Sequence, residues 1–89
     1  MHRSLRDLMD FPTIFRLRVI GYNQDDFATY IMVRVRRFAP EINEDNINAR
    51  LSNGGKYCAV TVSFVAESEE QLYAIYADLS QDQRVLFLL

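Results

Sequence analysis

The segment from Ser52 to Phe64, with the sequence SNGGKYCAVTVSF, contains the residues that come closest to a chemical motif. Its Gly54-Gly55-Lys56 resembles part of a phosphate-binding loop, and Cys58, the single cysteine, lies two positions later. A phosphate-binding loop has the form Gly-x-x-x-x-Gly-Lys-Ser/Thr and joins a strand to a helix. This segment has strand patterns on both sides, and Asn53-Gly54 is typical of a hairpin turn. We therefore predict a turn here and not a phosphate site.

The residues needed for catalysis cannot be assembled around Cys58 or elsewhere in the sequence. Cys58 alternates with Val60 and Val62 on the apolar face of a strand, whereas a reactive thiolate needs a partly exposed niche and a nearby base. The only histidine, His2, is near the N-terminus, and neither a Ser-His-Asp set nor a pair of catalytic carboxylates is apparent. One cysteine and one histidine without ligand spacing also make no metal site. We predict a non-enzymatic protein with no catalytic residues, no cofactor and a structural Cys58.

Length and composition predict one globular domain that spans residues 1–89. The hydrophobic fraction of 49% and the charged fraction of 25% are typical of folded proteins. The sequence contains no apolar run of roughly 18 to 20 residues and no signal-peptide core. This predicts a cytoplasmic protein with no membrane association.

Charge is distributed unevenly along the chain, although the net charge is only -2. Residues 1–37 hold seven arginines and four aspartates, for a net charge of +3, while residues 38–89 hold three basic and eight acidic residues, for a net charge of -5. A protein with a pI near 5.2 lacks the basic excess that binding to a phosphate backbone normally uses. The composition therefore argues against nucleic acid as a partner.

The first part of the chain predicts a short helical turn and a strand. Ser4 to Met9 favours a single helical turn, which Ser4 caps and Phe11-Pro12 ends. Residues 13–20 alternate apolar and polar side chains, which predicts a strand that Gly21 ends.

The next segment carries signals for both a helix and a strand. Ile31, Val33 and Val35 are β-branched and alternate, as in a strand. However, Asn23 is a candidate N-cap, acidic residues 25–26 and basic residues 36–37 suit the two ends of a helix dipole, and Pro40 ends the segment. A stripe at helical spacing also favours the helix, and its members are Phe27, Ile31, Val35 and Phe38.

The second half of the sequence predicts two strands, a helix and a final strand. Residues 47–51 and 56–66 alternate on either side of the Asn53-Gly54 turn. Ser68 to Gln71 has the form of a capping box, and apolar residues follow at helical spacing, namely Leu72, Ile75, Tyr76 and Leu79. The apolar run from Val85 to Leu89 favours a strand within the sheet.

This order of elements predicts an α+β fold, a ferredoxin-like βαββαβ sandwich preceded by the short helical turn. Two helices cover one face of a four-stranded antiparallel sheet, and the other face stays open. Strict alternation directs Val85, Phe87 and Leu89 of the last strand towards the core. The side chains expected on the open face are Arg16, Arg18, Ile20, Arg50, Tyr57, Thr61, Ser63, Leu86 and Leu88.

Nearly the whole sequence resembles the YbeD-like family of small bacterial proteins. The resemblance is carried by Leu5-x-x-Leu8-Met9-x-Phe11-Pro12-Thr13-x-Phe15, by Val19-Ile20-Gly21, by Ala39-Pro40 and by Gly55-x-Tyr57. It implies a ferredoxin-like fold similar to that of the small-molecule-sensing ACT domains, and it implies no catalytic residues.

We therefore expect a regulatory or interaction module. Ile20, Leu86 and Leu88 on an open sheet face would form an apolar surface for a protein partner or for a second copy of the chain, giving a homo-oligomer. A small-molecule ligand would bind at the loop before the first helix, where free backbone N–H groups favour an anion. That loop consists of Gly21, Tyr22, Asn23 and Gln24.

RNA binding is the alternative function, because RNA-recognition domains share this fold and an open sheet. Such domains stack bases on aromatic residues of the first and third strands. Here the first strand offers Arg16 and Arg18, and the third offers Tyr57 at its very start. The missing aromatic platform argues against this alternative.

Overall fold

The computed structural model describes residues 9–24 and 26–89, and its strands and helices follow the order predicted from the sequence. The strands are β1 (Thr13–Tyr22), β2 (Ile47–Leu51), β3 (Tyr57–Ala66) and β4 (Val85–Leu88), and the helices are α1 (Phe27–Arg36) and α2 (Glu69–Ser80). A 3-10 turn at Glu44–Asn46 precedes β2. Apart from Met9, the helical turn predicted for Ser4 to Met9 lies outside the described residues.

The four strands form one antiparallel sheet in the order β2-β3-β1-β4. The central pair, β1 and β3, is in continuous register from Thr13 opposite Ala66 to Tyr22 opposite Tyr57. With α1 and α2, the sheet forms the predicted ferredoxin-like α+β arrangement, which is confirmed. The hairpin predicted at Asn53-Gly54 joins β2 to β3, and Gly54 has the positive φ of 86° that favours glycine.

One face of the sheet packs against both helices and forms the core. Leu17 and Val19 of β1 are completely buried, and alternate residues of β3 from Cys58 to Phe64 are buried beside them. The predicted helical stripes supply the opposing layer, in which the buried residues are Phe27, Ile31, Met32 and Val35 of α1 and Leu72, Ile75 and Leu79 of α2. The helical interpretation of residues 31–35 is therefore confirmed, because burial at helical spacing outweighs the β-branched alternation.

The start of α1 differs from the prediction. The helix begins at Phe27 after Asp26, a left-handed residue with φ 49°, whose side chain caps nothing. The N-cap role predicted for Asn23 is wrong, because Asn23 binds the β2–β3 hairpin: its Nδ2 donates to the Gly55 carbonyl and its backbone N–H donates to the Lys56 carbonyl, both at 2.9 Å. Tertiary hydrogen bonds thus replace the local cap. Asp25 lies outside the described residues.

The start of α2 agrees with the prediction in its main feature. The Ser68 Oγ accepts the Gln71 backbone N–H at 3.1 Å, so Ser68 is the N-cap. The second half of the predicted capping box is wrong, since the Gln71 Oε1 accepts the N–H of Glu67, one residue earlier than the box requires. The Gln71 Nε2 instead donates to the Phe38 carbonyl at 2.8 Å, which links α2 to the chain after α1.

Strand β4 pairs with β1 through a bulge. Ile20 lies opposite Phe87, but Gly21 lies opposite Val85, so Leu86 is an extra residue in β4. Beyond the bulge, the backbones of Arg18 and Leu89 exchange hydrogen bonds of 3.0 and 2.8 Å.

After the bulge, the side chains of β4 point to the opposite faces from those that strict alternation predicts. Val85 and Leu88 pack against the core, so the outward direction predicted for Leu88 is wrong. Phe87 and Leu89, predicted to face inward, are 63% and 62% exposed and share the face of Ile20 and Arg18. One inserted residue changes the phase because side chains alternate with a period of two.

Gly21 lies at the point where α1, β1 and β4 come together. A Cβ atom at Gly21 would overlap the backbone carbonyl oxygen of Arg84 and the ring of Phe27. Arg84 immediately precedes β4, and Phe27 is the first residue of α1. Close approach of these two elements to β1 therefore requires a residue without a side chain.

No helix among the described residues is long and apolar enough to cross a membrane.

We predict that Gly21→Ala lowers the free energy of unfolding by about 3 kcal/mol, because the backbone of Arg84 cannot move away without displacing β4. Chemical denaturation measures the change. Gly54→Ala is the matched control, since it meets no atom within 4 Å and suffers only the strain of its positive φ, about 1 kcal/mol. Equal losses in the two variants would show that crowding at Gly21 is unimportant.

Candidate functional site: the open face of the sheet

The face of the sheet opposite the helices, called the open face below, presents apolar and basic side chains. Its central part contains three arginines, Arg16, Arg18 and Arg50, which we call the arginine band, and all three are exposed. Side chains alternate between the two faces of the sheet, and the register of the paired strands places no aspartate or glutamate side chain on this face. Its side chains are Ile14, Arg16, Arg18, Ile20 and Tyr22 of β1, Asn48 and Arg50 of β2, Tyr57, Ala59, Thr61, Ser63 and Val65 of β3, and Phe87 and Leu89 at β4.

An apolar cavity of about 330 Å³ lies at one end of the open face. Ile20, Tyr57 and Phe87 form apolar walls, and Leu51 from the edge strand β2 adds another. Ile20 and Phe87 are direct cross-strand neighbours, so the cavity spans the width of the sheet from β4 to β2. The cavity is shallow and reachable from solvent, as the exposure of Phe87 shows.

An aromatic pair forms the rim of this cavity. The rings of Tyr22 and Tyr57 are stacked, with centroids 5.6 Å apart and planes inclined by 27°. The Lys56 Nζ lies 5.5 Å from the centroid of the Tyr57 ring, within the range of a cation–π contact. These contacts hold a flat aromatic surface beside the cavity.

A basic cavity of about 500 Å³ adjoins the apolar one. The arginine band lines it together with Asn48 and Thr61, and Arg18, Arg50 and Ala59 belong to both cavities. No salt bridge joins the arginine band to an acidic residue within the described part of the chain. The basic cavity can therefore offer guanidinium N–H groups to a carboxylate or another anion.

The loop predicted to bind a small ligand is engaged in the protein's own contacts. Gly21 is buried beneath the Phe27 ring, and Tyr22 stacks on Tyr57 at the edge of the open face. The sequence predicted free N–H groups in this loop. Instead, the N–H groups of Asn23 and Gln24 donate to backbone carbonyls at 2.9 and 3.0 Å. Ligand binding by this loop stays a prediction, without the free donors on which it rested.

The predicted interface residues lie in three different environments. Ile20 lines the apolar cavity, Leu86 is the bulge residue, and Leu88 packs against the core. Their role in an interface stays a prediction. The outward positions of Phe87 and Leu89 were not predicted, because strict alternation gives no sign of the extra residue, Leu86, in β4.

A second polar cluster, on the helix side, joins α1 to the segment between α2 and β4. Arg34 donates to the Asp78 Oδ2 from its Nε at 3.0 Å and its Nη2 at 2.9 Å, and its Nη1 lies 3.2 Å from the Asp82 Oδ2. The Tyr30 hydroxyl donates to the same Asp82 oxygen, and this hydrogen bond raises the pKa of Tyr30. The hydrogen bond to Asp78 likewise raises the pKa of Arg34.

Arg84 completes this cluster. Its guanidinium lies 4.2 Å from the centroid of the Tyr30 ring, and its Nη2 donates to the Gln24 carbonyl at 2.6 Å. Because these groups satisfy one another, we interpret the cluster as a structural link and not as a binding site.

The thiol of Cys58 lies on the core side of β3 and is only 4% exposed. Burial raises its pKa above the ordinary value of 9.0, which disfavours the thiolate. The described residues contain no group of three or more His, Cys, Asp or Glu side chains arranged to hold a metal ion. His2 lies outside the described residues.

Comparison with known proteins identifies similar sequences over nearly the whole chain. Residues 6–89 match the family described as "Protein of unknown function (DUF493)". A UPF0250 protein of Chromobacterium violaceum is 37% identical over 89 residues, which is 100% of both chains. A UPF0250 protein of Ralstonia nicotianae is 39% identical over 92% of this chain and 84% of its own, and one of Pasteurella multocida is 32% identical over 97% and 96%.

We predict that Cys58→Ala costs about 1 to 2 kcal/mol of stability and leaves the fold intact, because only a small buried side chain is lost. The variant should also remove part of the pH dependence of the free energy of unfolding. Since the folded-state pKa is raised, the contribution of the thiol is complete below about pH 9 and is lost as the pH rises above that value. Denaturation curves at pH 8 to 11, a range set at roughly one pH unit below and two above the ordinary thiol pKa, measure this difference. Identical pH slopes for the wild type and the variant would contradict it.

Proposed function

This chain belongs to the DUF493 family of proteins of unknown function, and we propose that it is a non-enzymatic interaction module that binds a partner protein through the open face of its sheet. The match also confirms the YbeD-like resemblance. The family description indicates no enzymatic activity. The proposal therefore rests on the surface of the molecule.

One observation carries the proposal: exposed apolar side chains are gathered on the sheet face that no described helix covers. Phe87 and Leu89 are 63% and 62% exposed on this face, and Phe87 lies beside Ile20 at the apolar cavity. Ile14 is also exposed on this face but lies at the other end of β1. Burial of apolar surface stabilises a complex by about 25 cal/mol per Å² removed from water. The patch formed by Ile20, Phe87 and Leu89 therefore favours association. Such patches typically mark interaction sites on small soluble domains.

The composition of the apolar cavity supports a protein partner. Interface centres are enriched in aromatic residues and arginine, and this cavity combines Tyr57 and Phe87 with Arg18 and Arg50. An aliphatic or aromatic side chain of a partner would fill the space between Ile20, Tyr57 and Phe87. The stacked tyrosines would then exclude water from one side of the contact.

We predict that a photo-reactive amino acid placed at position 87 forms an adduct with a discrete protein in native cell extract. The same amino acid at position 33 is the control, because Val33 is 50% exposed but lies on α1, on the helix side of the molecule. The adduct at position 87 should disappear when Ile20→Asp adds a charge to the apolar cavity. No discrete adduct at position 87, or equal adducts at both positions, would contradict the proposed function.

RNA binding is a second candidate, because the structure adds an aromatic residue that alternation had directed to the core. Phe87 and Tyr57 line one cavity with Arg18 and Arg50, a combination that could stack unpaired bases. The net charge of -2 weighs against it, since affinity for a phosphate backbone depends on positive charge.

We predict that single-stranded RNA binds weakly, with a dissociation constant above micromolar at physiological salt and a steep dependence on salt concentration. Fluorescence anisotropy with a labelled oligonucleotide measures the affinity. Sub-micromolar binding that Phe87→Ala weakens would favour RNA over a protein partner.

A further inference from the structure

The side chains of the arginine band are the charged side chains that the paired strands place on the open face. Arg16, Arg18 and Arg50 are exposed there, and the paired registers bring no acidic side chain to this face. The face is therefore locally positive, although the whole chain has a net charge of -2. Local and overall charge differ because the acidic residues that the structure describes lie elsewhere, such as Asp78 and Asp82 on the helix side.

This charge disfavours two occupants that the chain itself could supply. In a symmetric dimer the same surface meets itself, so a face-to-face pair would bring two arginine bands together at a cost in repulsion. Residues 1–8 hold two arginines and one aspartate, so they too would bring positive charge to the face. Neither a second copy nor the N-terminal residues complement the open face.

The two cavities specify what would complement it. The basic cavity offers guanidinium groups, the Thr61 hydroxyl and the Asn48 amide, and the adjoining apolar cavity offers Ile20 and Phe87. Along β1, Arg16 and Ile20 are separated by about 13 Å, at about 3.3 Å per residue. A complementary surface must therefore place carboxylates and one projecting apolar side chain within about that distance.

We propose that the natural occupant of the open face is an acidic surface of a different protein, with carboxylates on the arginine band and one apolar side chain in the apolar cavity. This inference rests on the proposed function and adds the chemistry of the partner. Guanidinium groups pair with carboxylates through two parallel N–H···O bonds, which orients the partner on the sheet. The apolar cavity then supplies the buried contact at the centre of the interface.

The test uses the photo-reactive amino acid at position 87 as the probe and changes only the charge beside it. Arg18→Gln with Arg50→Gln should lower the yield of the protein adduct in native extract roughly tenfold, because two charged contacts are lost. Arg36→Gln with Arg37→Gln is the matched control and should leave the yield unchanged, since both arginines are exposed on or just after α1. Raising the salt concentration from about 50 mM to about 500 mM should lower the wild-type yield as well.

The outcomes separate this inference from the proposed function. A protein adduct whose yield depends neither on Arg18 and Arg50 nor on salt would overturn the acidic partner and leave the proposed function standing. An adduct with the mass of two copies, or with RNA, would also overturn it. Absence of any adduct at position 87 would contradict both. Circular dichroism and denaturation midpoints confirm that each variant is folded.

Sedimentation of the purified protein provides an independent check on whether a second copy binds the open face. We expect the open face to contribute no self-association, so Phe87→Asp should leave the sedimentation coefficient unchanged across the concentration range. A wild-type dimer that Phe87→Asp dissociates would show that the arginine band does not prevent pairing, and it would overturn the inference.

Discussion

The close contact at Gly21 determines how three elements of this fold meet. The Phe27 ring and the Arg84 carbonyl occupy the space that a side chain at position 21 would need, so α1 and the entry to β4 both pack directly on β1. Arg84 also contacts the Tyr30 ring and the Gln24 carbonyl, which ties the entry of β4 to α1. With β4 held there, Leu86 forms the bulge and Phe87 turns to the open face. The outward direction of Phe87 thus follows from packing around a residue that has no side chain.

The core fixes the rest of the open face. Arg16 and Arg18 alternate with Leu17 and Val19, which are completely buried between the sheet and the helices. A slip of one residue in β1 would bury both arginines and expose both apolar side chains, at a cost of several kcal/mol. The arginine band is therefore held outward by the packing on the opposite side of the same strand. The same alternating pattern therefore both packs the core and directs Arg16 and Arg18 outward.

Local patterns predicted most of the fold, and contacts between distant residues account for the errors. The element order, the helical stripes, the Ser68 cap and the Asn53-Gly54 turn each depend on neighbouring residues and are confirmed. Asn23 failed as a cap because it binds Gly55, a residue 32 positions away. The direction of the side chains in β4 depends on the extra residue Leu86, which no periodicity in the sequence indicates. The candidate site shows the same limit: the outward positions of Ile20, Arg16, Arg18 and Arg50 were predicted from alternation, whereas those of Phe87 and Leu89 depend on the bulge.

The central claim is that the bulge at Leu86 places Phe87 beside Ile20 on the open face, and nuclear Overhauser effects in solution measure this directly. The structure predicts cross-peaks between the Phe87 ring protons and the Ile20 methyl groups, because the two residues are cross-strand neighbours. Cross-peaks from the Phe87 ring to core residues of α2 such as Ile75 and Leu79 would mean that β4 alternates strictly. That result would remove Phe87 from the candidate interface and contradict the origin of the surface described here.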